Sequence, residues 1–184
     1  FENLFLCLSL VYSARQSAKL KRRWPLRRVF VQAPEGVCSA LKNLHEVFLE
    51  LANVKAAEYA SVVPKDIEDE VAAGRWATVS DREVRVFLDT YRDEGLLGEG
   101  LMRDVARRIQ SLRKELGYNP TDILETVHVA GFDEETVKLL NLYLRDMAEL
   151  VRAKSVLLHI TVPQIAVEWH EYPLDERKIY IAIC

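Results

Sequence analysis

Apolar residues recur at helical spacing at the head of the chain. Leu4, Leu8, Val11 and Ala18 mark one side of a helix predicted over residues 3–23, and Pro25 stops it, since the residue before a proline avoids the α region. A short β-rich run follows at 28–33. Val37, Leu41, Leu44, Phe48 and Leu51 then fall at helical spacing from Glu35 to Asn53. "VKAAEYASV" reads as a strand, and the polar stretch 64–75 as a loop or linker. Strict alternation returns in "REVRVFLDT", where Val84, Val86 and Leu88 share one side and Glu83, Arg85 and Asp89 the other.

"DEGLLGEG" reads as a loop leading into a long helix from about 100 to 116, ended by Gly117 with Pro120 just beyond. A strand, "LETVHVAG", precedes a helix from Asp133 to about Ala153, which opens with acids as the helix dipole favours. Three strand-like segments finish the chain: "SVLLHIT", "IAVEWHEY" and "KIYIAIC". The pattern is an opening helix from the end of a helical bundle, then mixed helices and strands with a largely antiparallel C-terminal part, an α+β fold. The division it suggests is residues 1–24 as bundle and 25–184 as an α+β domain, with a sub-boundary near 61–80.

Composition changes this picture little. At 184 residues, 49% of them apolar and few of them Gly or Pro, the chain can bury a core and is not disordered. Cys7, Cys38 and Cys184 are widely spaced and form no C-x-x-C, which argues against a structural metal site and fits a reducing, cytoplasmic setting. "FENLFLCLSLVY" has its cations after the apolar run, not before it, and is too short to span a bilayer. The opening Phe1 lies inside that apolar pattern, which reads as a fragment whose helix has packing partners upstream.

Charge changes it more. Residues 1–33 carry seven Lys/Arg against one acid, Glu2, whereas 34–184 carry eighteen against twenty-seven, for a net −3 overall. The seven are Arg15, Lys19, Lys21, Arg22, Arg23, Arg27 and Arg28. Such asymmetry points to a polyanionic partner, or to a solvated helix end favoured by the dipole. A second stripe runs along the long helix, where Arg103, Arg107, Gln110 and Lys114 share a face opposite Leu101, Val105, Ile109, Leu112 and Leu116.

Candidate catalytic chemistry is absent. "GLLGEG" lacks the order of a dinucleotide loop. His170 in "EWHEY" reads as a strand histidine, with Trp169 on the opposite side. "DIEDE" at 66–70 reads as a solvated turn. No Ser or Cys sits in a nucleophile context.

With these residues in view, "ARQSAKLKRRWPLRRVFV" resembles the segment A-R-x-x-A-K-x-K-x-R-x-P-L that precedes a strand in isoleucyl-tRNA synthetases. "EVRVFLDTYRDEGLLGEGLMRDVARRIQSLRKELGYNPTD" is similar to a later segment of that family, most closely at Leu101 and Arg103 to Lys114. The resemblance runs in order through the chain and implies the part that follows the anticodon-binding bundle. H-I-G-H and K-M-S-K-S are absent, so ATP and magnesium belong to the parent enzyme and no cofactor is expected here. The terminal four-cysteine zinc site of many bacterial members is absent too, which implies an archaeal or eukaryotic type of C-terminus.

The resemblance implies tRNA and the parent's upstream domains as partners. Arg15, Lys19, Arg22, Arg23, Arg103, Arg107 and Lys114 are the expected phosphate contacts, since cations on phosphates give affinity without sequence information. Trp24 is the stacking candidate, or else a tryptophan that plugs the junction of helix and sheet. Two other readings stand beside this one. In the first, the chain is a structural or protein-interaction module that buttresses the bundle, its cations paired with upstream acids. In the second, it is an unrelated RNA-binding protein.

Overall fold

Apolar residues at positions 4, 7, 8, 11 and 14 place one side of α1 (Glu2–Ser17) in a core rather than against an external bundle. The computed structural model describes all of residues 1–184 and divides them into two units, Phe1–Leu97 and Gly98–Cys184. The division expected at residue 24 is therefore not where the chain parts, because α1 supplies much of the first unit's core.

In the first unit α1 is followed by β1 (Leu26–Gln32), α2 (Glu35–Asn43), α3 (His45–Ala52), β2 (Val54–Ala60), α4 (Lys65–Ala72), β3 (Trp76–Asp81) and β4 (Val84–Asp89). The sheet order is β2-β1-β4-β3, with β2 parallel to β1 and the other pairs antiparallel. Val29, Val31, Val84, Val86 and Leu88 face α1, α2 and α3, as the strand alternation predicts. The opposite face of the sheet carries Phe30, Trp76 and Phe87, and α4 covers it with Ile67 and Val71.

The second unit repeats this plan. It comprises α5 (Glu94–Glu115) from Gly98 onward, β5 (Leu124–Ala130), α6 (Glu134–Asn141), α7 (Leu144–Val151), β6 (Ala153–His159), β7 (His170–Leu174) and β8 (Arg177–Ile183). Its sheet runs β6-β5-β8-β7 with the same pattern of parallel and antiparallel pairs. Leu4, Cys7, Leu8, Val11 and Ala14 of α1 have their counterparts in Met102, Val105, Ala106, Ile109 and Leu112 of α5, all buried. Left-handed residues also correspond: Lys19 with Gly117, Asn53 with Arg152, and Arg82 with Asp175. With seven helices and two mixed four-stranded sheets, the fold is α+β.

The local differences from expectation have physical causes. The helices expected at 35–53 and from Asp133 to Ala153 are each two, broken at Leu44 and Tyr143. An unbroken helix over 35–52 would extend about 27 Å, longer than the roughly 23 Å of the seven-residue strands it returns beside. Residues 65–72 are helical because the aromatic outer face of the sheet needs cover, although only Ile67 and Val71 of α4 are apolar enough to signal it. "GLLGEG" is helix, not loop. A Cβ on Gly98 would stand 2.9 Å from Leu139 and Tyr143, so glycine there admits a close helix approach. The strand expected at "IAVEWHEY" begins only at His170.

Candidate nucleic-acid interface

The basic stretch lies where α1 gives way to β1. The helix ends with Lys19 in the left-handed region at φ 58°, where the Leu20 N–H donates to the Arg15 carbonyl and the Lys19 N–H to that of Gln16. What holds the following loop in place is Arg15. Its Nη1 donates to the carbonyls of Lys21 (2.9 Å) and Trp24 (2.8 Å), and its Nη2 to those of Ala52 (2.8 Å) and Asn53 (2.9 Å). Those last two carbonyls close α3, so the guanidinium sits at the negative end of a helix dipole. The Asn53 side-chain amide donates to the Arg22 carbonyl and adds a further tie. Arg15 is 1% exposed, so its expected role at an RNA surface is corrected: it shapes the surface from beneath.

The other expected residues divide by environment. Lys19 and Arg22 are exposed, and Arg23 and Trp24 half-buried. The Arg22 guanidinium lies 3.8 Å from the centre of the Tyr12 ring, a cation–π contact that fixes its plane. Tyr12 is itself held by donation from its hydroxyl to the Leu51 carbonyl. A depression of about 420 Å³ opens beside this pair, lined by Ser9, Ser13 and Gln16. The guanidinium of Arg92 lies 4.1 Å from the centre of the Trp24 ring, and the Lys21 ammonium 5.0 Å. Trp24 thus already carries cations over its ring and leads into buried Pro25, an arrangement nearer to the junction reading than to an open stacking platform.

Arg27 and Arg28 serve the sheet. Arg27 donates twice to Asp89, at 3.0 and 2.8 Å, and this bond raises its already high pKa. Arg28 reaches both Asp89 and Glu70. Glu70 also accepts from the Trp76 indole N–H at 2.8 Å, and these bonds lower its pKa, that of Trp76 foremost. On α5, Arg103 pairs with Glu99 at 3.1 Å, and Gln110 donates to the Leu150 carbonyl. Arg107 and Lys114 are exposed. The expected stripe therefore offers two outward cations, with Gln110 as an internal tie. Leu116, expected on its core side, is exposed.

Sequence reasoning missed Tyr12 and Arg92, which lie ten or more residues from the cations or rings they meet and leave no local signal. No group of three or more His, Cys, Asp or Glu side chains converges to hold a metal. No helix is long and apolar enough to cross a membrane.

No family model matches the chain. Curated isoleucine–tRNA ligases do match it. That of Methanopyrus kandleri is 26% identical over 231 residues, covering 93% of this chain and 21% of its own. That of Pyrobaculum aerophilum is 27% identical over 186 residues, covering the whole of this chain and 16% of its own. That of Dehalococcoides mccartyi is 33% identical over 126 residues, 66% of this chain and 12% of its own. The chain spans about a fifth or less of the length of these relatives.

Proposed function

Since the chain is a relative of the isoleucine–tRNA ligases throughout its length and corresponds to a part of them, we propose that it forms a tRNA-contacting portion of such an enzyme. It holds the anticodon region of the tRNA relative to a catalytic domain elsewhere in the parent, which supplies the ATP chemistry. The observation that carries this reading is the Arg15-stitched loop, which displays Lys19 and the stacked pair Arg22–Tyr12 at a fixed position in a chain otherwise acidic. A planar guanidinium held on a ring can stack on an unpaired base while its edge contacts phosphate. Arg23, Arg103, Arg107 and Lys114 are further candidates for phosphate contact.

The test is tRNA binding by the purified chain as a function of salt, wild type against a Lys19→Ala, Arg22→Ala, Arg23→Ala triple variant. Loss of salt dependence supports the proposal, and an unchanged slope rejects it. One observation favours the buttress reading: Phe1 and Phe5 are exposed together on the outer side of α1, ring centres 6.4 Å apart, an apolar spot suited to a neighbouring protein surface. On that reading the triple variant leaves RNA binding intact, and Phe5→Ser weakens attachment to the rest of the parent.

A further inference from the structure

The two β-hairpins of the chain are built alike and charged differently. The turn between β3 and β4 is Arg82–Glu83, closed by the pair Asp81 and Val84. The turn between β7 and β8 is Asp175–Glu176, closed by Leu174 and Arg177. Each begins with a left-handed residue, Arg82 at φ 55° and Asp175 at φ 54°. Aspartate tolerates that region, whereas a long side chain such as arginine is disfavoured in it. A cation held in a costly backbone conformation suggests a use for its side chain. Counted from each turn, Arg85 stands where the other hairpin has Lys178. Lys178 is paired with Glu171 at 2.9 Å, but no carboxylate pairs with Arg82 or Arg85.

Arg82 and Arg85 line one depression of about 510 Å³, together with Gln32, Ser61, Ser80 and Glu83. Strand register explains why they meet. Arg85 of β4 lies between Gln32 of β1 and Ser80 of β3, its partners on either side, and Ser61 follows the end of β2. A polar row thus crosses the whole sheet. The Gln32 amide donates to the Ser61 carbonyl at 3.2 Å and fixes one end of that row. The hydroxyls of Ser61 and Ser80 make no hydrogen bond within the chain, and both guanidiniums are exposed. That of Arg85 lies 5.9 Å from the centre of the buried Phe87 ring, which keeps it near the sheet. Arg28, further back along β1, is by contrast matched by Glu70 and Asp89. Two guanidiniums face the single carboxylate of Glu83, so the depression is positive in a chain of net charge −3.

We propose that this depression binds a phosphate group, the guanidiniums of Arg82 and Arg85 donating to its oxygens and the hydroxyls of Ser61 and Ser80 completing the contact. A guanidinium suits the task because its planar fork of donors matches two phosphate oxygens at once. The site lies at the C-terminal end of β1, whereas the Arg22 loop precedes the N-terminal end of that strand. It is therefore a separate site and does not rest on the tRNA reading. Two sources supply the same chemistry: a phosphodiester of a nucleic-acid strand and a free phosphate.

The experiment titrates the full chain in two arms at near-neutral pH and constant ionic strength set by chloride. One probe is inorganic phosphate, the other a uridine hexanucleotide without a terminal phosphate. NMR follows the Arg82 and Arg85 Nε–H signals and the Ser61 and Ser80 amides, which should shift and saturate at millimolar concentration or below. Movement with the hexanucleotide identifies a strand as the source, and movement with inorganic phosphate alone identifies a free phosphate. Arg82→Asn should weaken binding by about tenfold, the loss of one charge-assisted contact. It should leave the melting temperature unchanged or raised, since asparagine accepts the left-handed turn. Arg85→Gln should weaken binding to a similar degree, and if it disturbs the sheet, Arg82→Asn alone decides. Arg145→Ala, at an exposed position in the second unit, should change nothing. The proposal is overturned if neither probe moves these signals at millimolar concentration, or if binding survives Arg82→Asn. It is also overturned if Arg82→Asn and Arg145→Ala weaken binding alike, which marks diffuse attraction and not a site.

Discussion

Arg15 and Arg113 perform the same task in the two units. Each donates to the carbonyl six residues on and to that nine residues on, Lys21 and Trp24 for the one, Asn119 and Asp122 for the other. Each also reaches the end of the third helix of its unit, Ala52 and Asn53 or Val151. Both are buried, at 1% and 3% exposure. A guanidinium suits the position because its fork of donors satisfies several carbonyls that a loop and a helix end leave open.

Replacing either arginine should therefore unfold mainly its own unit. Arg15→Met removes the side-chain donor from four carbonyls, of which those of Lys21 and Asn53 keep the backbone N–H of Trp24 and Leu26, and should cost about 3 kcal/mol or more. Native-state hydrogen exchange checks this: amides of β1 and β2 should lose protection in Arg15→Met, and those of β5 and β6 in Arg113→Met. Arg15→Lys should not restore the loss, because an ammonium cannot span both sets of carbonyls.

The opening helix should be as well protected as α5. An unpartnered bundle helix would exchange freely, but Leu4, Leu8 and Val11 are buried within the first unit. Amides 6–14 should exchange as slowly as those of 102–112. Leu8→Ala should destabilise the first unit by about 2 to 4 kcal/mol, measured by urea denaturation.

In tRNA binding, each phosphate contact contributes roughly 0.7 to 0.9 to the log–log salt slope. Lys19→Ala, Arg22→Ala and Arg23→Ala together should flatten it by about 2 to 3 units, for cognate and non-cognate tRNA alike. Arg27→Ala should leave the slope unchanged, since its guanidinium is engaged by Asp89. Tyr12→Leu should weaken binding with little change of slope, because it frees Arg22 without removing its charge.

The second unit should lose stability as pH falls below about 6.5. Burial, then the neighbouring His159, lowers the His128 pKa from its ordinary 6.5. The unfolded chain thus binds a proton more readily than the folded one. The stability this contributes is complete above 6.5 and is lost as pH falls toward the lowered folded value. His128→Phe, which installs the residue found at Phe30, should remove most of this dependence. Thermal melts at pH 7.5 and 5.0 check it, and an unchanged pH dependence in the variant would reject the assignment to His128.

How much of this was legible in the chain varies by element. The inward strand residues Val84, Val86 and Leu88, the stop at Gly117 and the acid-led start at Asp133 could be read directly. Alternation, a left-handed cap and an N-cap are local properties, and the structure keeps them: Gly117 has φ 82° and the Asp133 carboxylate accepts from the Thr136 N–H. The isoleucine–tRNA ligase likeness was legible too, through the runs at 14–32 and 83–122, because motif identity needs no knowledge of contacts. The duplication was far weaker, with Arg15 and Arg113, and Leu26 and Leu124, among its few matching letters.

By itself, then, the sequence determined most of the elements, their polarity along the chain and where positive charge concentrates. Tertiary structure decided which of those charges face outward. Arg15, in the middle of a run of cations, is buried because carbonyls from residues 52 and 53 meet it there, and no spacing along α1 reveals an acceptor so distant in sequence. It also decided that α1 belongs to its own sheet and that α4 forms at all. The burial of Ile67 and Val71 depends on Phe30 and Phe87, rings from strands that only the fold brings under the helix. A helix with two apolar residues among acids gains its stability from what it covers, and that lies outside the segment itself.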